Sequence, residues 1–472
     1  GITSIPAGLF DYNTQVTANG FRETFYGCTN IVGAIPTDLF RYNTLVSTYG
    51  FYHTFYNCTG ITSIPTDLFR YNTVVSTEGF GGTFRGCTGI TAIPTDLFRY
   101  NTLVSSFHAT FQNCSGITSI PAGLFDYNTQ ITANGFRETF FGCTNIVGAI
   151  PTDLFRYNTL VSTYGFYHTF YLCAGITSIP TDLFRYNTVV STEGFGGTFR
   201  GCTGITSIPT DLFRYNTVVS SFNATFQNCS GITSIPAGLF DYNTQITANG
   251  FRETFYGCTS LTSIPTDLFR YNTLVSSSGF LRTFYNCSGL TSVPADLFRY
   301  NTAVTSFNLT FFGCTNLQLN RNIFYADGEE GTRFLNKSVD FTSCFSRTSY
   351  TGIQGEAPYL WNCDFGTGTP TKTSCFAGAG NSTTSLTNYP DELMTIGTAP
   401  ATDWANNDII TGQTSTRTCK IAGTKITNTT YIVNSRGGLS YTLGETIGVT
   451  GTPAKLATQT ASTPTFATSG WK

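Results

Sequence analysis

Cysteine is the first residue to test for chemistry, because 15 of them in 472 residues could mean a disulfide framework, a metal site or a nucleophile. Their spacing points elsewhere. Cys28, Cys58, Cys87, Cys114, Cys143, Cys173, Cys202, Cys229, Cys258, Cys287 and Cys314 recur once every 27 to 30 residues, and no Cys-x-x-Cys pair occurs. One cysteine per period reads as a column in a stacked array, where a thiol acts as a small buried apolar group. Disulfides or a bound metal are the alternatives, and for Cys344, Cys363, Cys375 and Cys419 the spacing leaves the disulfide state open.

The other reactive side chains are as sparse. His53, His108 and His168 have no carboxylates at ligand spacing, and they are expected to face solvent in a variable loop. No nucleophile elbow, phosphate-binding loop, His-Glu-x-x-His helix or dinucleotide fingerprint is present. The acidic run at residues 327–330 reads as a solvated loop rather than a cation site. No catalytic residue, cofactor or metal is therefore expected, and the chain reads as a non-enzyme. Arginine forms a second column at Arg41, Arg70, Arg99 and their successors, broken by Asp11, Asp126 and Asp241. The simplest partners are Asp38, Asp67 and Asp96, three residues earlier in each turn. The alternative is a striped face for an anionic glycan. Tyr42, Tyr71 and Tyr100 stand beside them and would suit sugar stacking if exposed, so Arg41, Arg70, Arg99 and these tyrosines are the candidate binding face.

The elements that carry these columns follow from self-similarity over residues 1–317. One unit, GITSIPTDLFRYNTVVSTEGFGGTFRGCT, begins at Gly60, and eleven such units follow one another. A longer period overlies them: GITSIPAGLFDYNT begins at Gly1, Gly116 and Gly231, which is a 115-residue cassette of four units. Within a unit, Ile61, Thr62, Ser63 and Ile64 suit a short strand. Pro65 ends it and opens a helical turn holding Leu68 and Phe69. Asn72 closes that turn, and a second short turn carries Phe84 before Cys87. The inward set is Ile61, Ile64, Leu68, Phe69, a valine, Phe84 and Cys87. No unit of this size can bury them alone, so stacked units must share a core. With strands ~4.8 Å apart, eleven coils would give a rod on the order of 50 Å. The asparagine column from Asn13 to Asn301 reads as a structural ladder bonding loop backbone.

The string TF-x-x-C-x-x-[LI]-T-S-I-P-x-x-LF, as in residues 83–98 with Ala92 at the serine position, with N-T-x-V between copies, resembles the BspA-like leucine-rich repeat of surface proteins. Similar repeats occur in phage tail and fibre proteins. The resemblance covers about two thirds of the chain, and it departs from the usual pattern in the near-invariant IP-x-x-LF and in the cassette regularity. It implies a leucine-rich-repeat solenoid of short parallel strands and short helical turns, used outside the cell in adhesion or host contact.

After Cys314 the register decays. Residues 318–397 are expected to be degenerate, capping repeats: Ala357, Pro358 and Leu360 echo one unit, and residues 385–393 echo another. From residue 398 the phenylalanines thin out, and strands are expected at 419–421, 425–433, 439–449 and 454–460 in a small β domain reaching residue 472. N-glycosylation sequons away from the cysteine column stand at Asn223, Asn308, Asn336, Asn381 and Asn428. Net charge is −2 and only 11% of residues are charged, so nucleic acid is not an expected partner. No apolar run is long enough to span a membrane. Expected partners are a host surface, a glycan or a protein receptor, at an extracellular, cell-surface or virion-surface location. The first coil opens on a bare strand edge. That motivates an alternative: a structural subunit joined head to tail into a filament, the C-terminal domain of one copy covering the first coil of the next.

Overall fold

The computed structural model describes residues 2–347, 355–358, 360, 363–378, 392–395, 403, 409–412, 418–427, 430–434, 446–449, 456–458 and 465–468. They fall into two compact units, Gly1–Leu261 with Asp267–Val275, and Thr262–Thr266 with Ser276–Lys472.

The first unit is a leucine-rich-repeat solenoid. Each repeat makes one coil, and the third, residues 60–88, serves for all. Its strand side is short: β1 (Gly33–Ala34) pairs in parallel with β2 (Ile61–Ser63), and four coils later β3 (Gly148–Ala149) pairs with β4 (Ile176–Ser178). Elsewhere single bonds such as Thr118 N–H to the Thr91 carbonyl hold the same edge. Pro65 opens the turn with Leu68 and Phe69 buried as expected, and Asn72 closes it.

The opposite side is built differently from the single short turn that the sequence suggests. Residues 80–87 form a ribbon of overlapping turns. The N–H groups of Thr83, Arg85 and Cys87 bond three residues back, while those of Gly82, Phe84 and Gly86 cross to the carbonyls of His108, Thr110 and Gln112 in the next coil. Alternate amides thus close turns and stitch coils, so this side has a parallel ladder without a strand. The geometry needs a left-handed residue every fourth position, at Glu78 (φ 50°), Gly82 (58°) and Gly86 (77°).

The third of these columns runs Gly27, Asn57, Gly86, Asn113, Gly142, Leu172, Gly201, Asn228, Gly257, all with positive φ. Glycine and asparagine tolerate that region, and leucine does not. The alternation also has a packing reason, because a Cβ on Gly86 or Gly142 would collide with the amide of Asn57 or Asn113 in the preceding coil. Leu172 (φ 63°) breaks the pattern and is 42% exposed, so it gains little burial in return. Leu172→Asn is expected to raise stability by about 1 kcal/mol, read as a higher thermal midpoint. An unchanged or lower midpoint would contradict the strain argument.

Three phenylalanines per coil fill the core, not two. Phe69, Phe80 and Phe84 are all fully buried, and each column stacks with its neighbours at centroid distances such as 5.7 Å for Phe51–Phe80 and 5.6 Å for Phe55–Phe84. Between the stacks run polar ladders. Asn72 Nδ2 donates to the carbonyls of Phe40 and Asn43, Thr83 Oγ1 to that of Phe51, and Cys87 Sγ to that of Phe55.

In the second unit isolated parallel bridges, among them Ser263 to Ser292, Ser292 to Gln318 and Asp340 to Thr371, continue the coil pattern. A one-turn helix, α1 (Glu330–Arg333), places Arg333 where a coil would place its ladder asparagine, and Arg333 donates to the carbonyls of Phe298 and Asn301. The remaining strands form a seven-stranded antiparallel sheet: β5 (Glu392–Thr395), β6 (Ile409–Gly412), β7 (Thr418–Thr427), β8 (Thr430–Asn434), β9 (Thr446–Val449), β10 (Leu456–Thr458) and β11 (Thr465–Thr468), in the order β10-β9-β6-β7-β8-β5-β11. Two expectations change here. Leu393 belongs to this sheet, paired with Ile432, so the segment read as a degenerate repeat contributes a strand; residues 385–391 lie outside the described residues. The stretch 425–433 is not one strand, because β7 ends at Thr427 and β8 begins at Thr430.

Candidate ligand-binding faces

The cysteine column lies inside. From Cys58 to Cys258 the described thiols of the first unit are buried, and each donates to the carbonyl of a phenylalanine in the preceding coil, as Cys114 does to Phe84 at 2.9 Å. Burial pushes the Cys58 and Cys173 thiols up to about 12, so the nucleophilic thiolate is suppressed. Cys28 is half-buried. The column is a hydrogen-bonded spine as well as an apolar one.

The histidines do not face solvent as expected. His53 and His168 sit half-buried at left-handed positions, each leaning on the glycine of the next coil, where a Cβ on Gly82 or Gly197 would strike the imidazole. Burial pushes His108 and His168 down to about 4, so both are neutral at pH 7. Among the described residues no group of three or more His, Cys, Asp or Glu is placed to hold a metal ion.

The arginine and tyrosine columns are brought together on the outer edge of the helical turns. Arg70 Nη1 lies 3.5 Å from Asp67 Oδ1, with both side chains near half exposure, and Arg41–Asp38 and Arg99–Asp96 repeat the pair at 3.8 and 3.5 Å. Such pairs contribute less than about 1 kcal/mol each, but they neutralise the stripe. The sequence did not indicate the second contact. Arg41 lies over the rings of both Tyr42 and Tyr71, 5.6 Å from each centroid, and Arg70 over Tyr71 and Tyr100 at 5.8 and 5.4 Å. Each guanidinium is sandwiched between tyrosines of successive coils, and Tyr71 and Tyr100 each face a guanidinium from their own coil and from the one before. Tyr42, Tyr71 and Tyr100 are 48%, 37% and 39% exposed. Every fourth coil breaks the stripe: Asp126 replaces the arginine, and burial first, then Asp153, holds its carboxyl above the usual range.

A second exposed surface lies along the strands. Thr62 and Ser63, Thr91, and Thr118 and Ser119 are exposed in three consecutive coils, and Thr177 and Ser178, Thr206 and Ser207, and Thr233 and Ser234 repeat them four coils later. No charge interrupts either set. Between them the strand entry with one extra residue exposes Val147 (63%), with Gly148 left-handed, so the two hydroxyl sets are separate. The cue in the sequence was the recurrent I-T-S-I, whose two central residues both face outward.

The sequons divide. Asn336 is exposed, although its Oδ1 accepts from Thr367. Asn308 is engaged with Asp340 at 2.9 Å, and Asn223 is half-buried. Asn381 and Asn428 lie outside the described residues.

No protein-family model matches the chain, and no curated protein matches it. Solved structures with some likeness include a leucine-rich cell surface protein from Faecalibacterium prausnitzii, at 16% identity over 69% of this chain and 83% of that one, TM-score 0.30. The glycosylated Toll–Spätzle complex of Drosophila follows at 16% identity over 65% of this chain and 45% of that one, TM-score 0.29. A leucine-rich-repeat protein of T. pallidum stands at 12% identity over 58% and 70%, TM-score 0.17. The fold rests on the coils themselves, since likenesses this slight add nothing to it. No helix among the described residues is long and apolar enough to cross a membrane.

Proposed function

We propose that the chain is a non-enzymatic surface-display solenoid, a fibre or adhesin outside the cell or on a virion, which attaches through a repeated face to a host, a glycan or another cell. The observation that carries this is the recurrence of the same uncharged, exposed Thr and Ser side chains on rigidly bonded coils. Each hydroxyl donates one hydrogen bond and accepts two, and the rows stand ~4.8 Å apart. That suits a neutral, hydroxyl-rich polysaccharide. The Arg–Tyr stripe suits it less, because tyrosine faces that a sugar would stack on already carry guanidinium groups, and the arginines an anion would need are paired. The resemblance of the repeat to BspA-like surface proteins supports the same location and role.

The test is retention of the full chain on insoluble neutral polysaccharides, cellulose and chitin, beside a glycan array. Wild type is expected to be retained. The triple variant Thr62→Glu, Thr91→Glu, Thr118→Glu should weaken retention by at least about tenfold, the loss of a few hydrogen bonds at ~1 kcal/mol each, while Tyr42→Ala, Tyr71→Ala, Tyr100→Ala should change it little. Loss in the tyrosine variant alone would move the site to the outer stripe. No retention on any sugar would overturn the polysaccharide reading.

A further inference from the structure

We propose that Tyr26 and Tyr56 form a site of oxidative cross-linking, joining the first and second coils through a dityrosine bond. Both tyrosines sit on the turn ribbon, in adjacent coils at equivalent positions. Their rings are stacked with centroids 4.4 Å apart and planes 3° from parallel. Tyr26 is 51% exposed, so an oxidant reaches it. Parallel stacking of two equivalent tyrosines one coil apart sets like edges of the rings side by side, and the carbons ortho to the hydroxyls are those that couple when two phenoxyl radicals meet.

The outer-edge tyrosines and the pairs within one coil differ in the feature that matters. On the outer edge a guanidinium stands between successive rings, as Arg41 does between Tyr42 and Tyr71. Tyr49–Tyr52 and Tyr164–Tyr167 are 5.7 Å apart but nearly perpendicular, at 80° and 83°. The cassette supplies its own control: four coils later Phe141 stands in the place of Tyr26, edge-on to Tyr171 at 4.6 Å, and phenylalanine forms no phenoxyl radical.

The co-reactant is hydrogen peroxide, used by a haem peroxidase. Each phenol loses one electron and its hydroxyl proton. The two radicals join by one carbon–carbon bond between ortho positions, and the hydrogens on those carbons shift to the oxygens as the rings regain aromaticity. Peroxide takes up the two electrons and two protons and leaves as two waters. The product bridges residues 26 and 56, so separating these two coils would then require breaking a covalent bond.

The test treats the full chain with horseradish peroxidase and limiting hydrogen peroxide, then reads dityrosine fluorescence and maps cross-linked peptides by mass spectrometry. The expected result is an intramolecular link of 26 to 56, two hydrogens lighter than the separate peptides. Tyr26→Phe and Tyr56→Phe should each abolish that link. Links spread evenly over the outer-edge tyrosines, an undiminished yield in denaturant, or no 26 to 56 link in wild type would each overturn the proposal. None of these readouts depends on whether the solenoid binds a polysaccharide.

Discussion

Phe98→Ala is expected to lower stability by about 3–5 kcal/mol. Phe98 is fully buried, stacked on Phe69 and Phe125 and tilted against Phe80 and Phe107 at 4.9 and 4.6 Å. A ring touching aromatic neighbours in both adjacent coils leaves a cavity that neither can fill without leaving its own stack. The consequence should also be local. In a one-dimensional array each coil is stabilised by its neighbours, so weakening one interface divides the array rather than unfolding it uniformly. Hydrogen exchange followed by peptide mass spectrometry is the measurement. Amides of residues 80–125 should lose protection first, before the ribbon amides of residues 195–228. Uniform loss over the whole unit would contradict nearest-neighbour stabilisation.

Much of this interior was legible before any coordinates. A cysteine and an asparagine recurring every 27 to 30 residues, with an aspartate–arginine pair in three coils of four, can hold constant positions only if each repeat has the same environment, and stacking gives that. The inward Leu68, Phe69 and Cys87 followed directly. Phe80 did not, because it sits in a glycine-rich stretch, GFGGTF, that reads as loop. Its burial depends on a ribbon whose left-handed residues include Tyr49, His53 and Glu78, types that carry no such signal. The histidines were misplaced for the same reason: a polar residue in an apparent loop reads as exposed until the neighbouring coil, with its glycine, is set against it. At the candidate face, the Asp–Arg pairing lay within one turn and was visible. The Arg–Tyr interleaving joins residues about 29 apart, and it decides which surfaces remain for a ligand. The same limit applies to the C-terminal sheet, where Leu393 looked like a repeat residue until its antiparallel partner Ile432 was known.

The asparagine ladder gives the sharper test of what holds one coil to the next. Asn101 Nδ2 donates to the carbonyls of Phe69 (3.1 Å) and Asn72 (2.9 Å), both buried, whereas its Oδ1 has no hydrogen-bond partner. The whole contribution therefore lies in the two N–H bonds. Asn101→Asp keeps the shape and removes only those donors. Two buried carbonyls would lose their partner at about 1–3 kcal/mol each, and a buried carboxylate would stand near them with no cation, so a loss of about 3–5 kcal/mol is expected at pH 7. The pH dependence separates this from a cavity effect. Burial raises the folded-state pKa of the introduced carboxyl above its unfolded value, so the variant's stability relative to wild type is highest below the unfolded pKa. It then declines as pH rises towards the folded pKa. When protonated, the carboxyl can also donate one hydrogen bond in place of two. Urea unfolding of both proteins from pH 3 to 8 should therefore show a gap that widens with pH and then levels off. A gap independent of pH would mean that the introduced carboxyl is not buried beside those carbonyls, and no gap at pH 7 would mean that the aromatic stacks alone set the spacing.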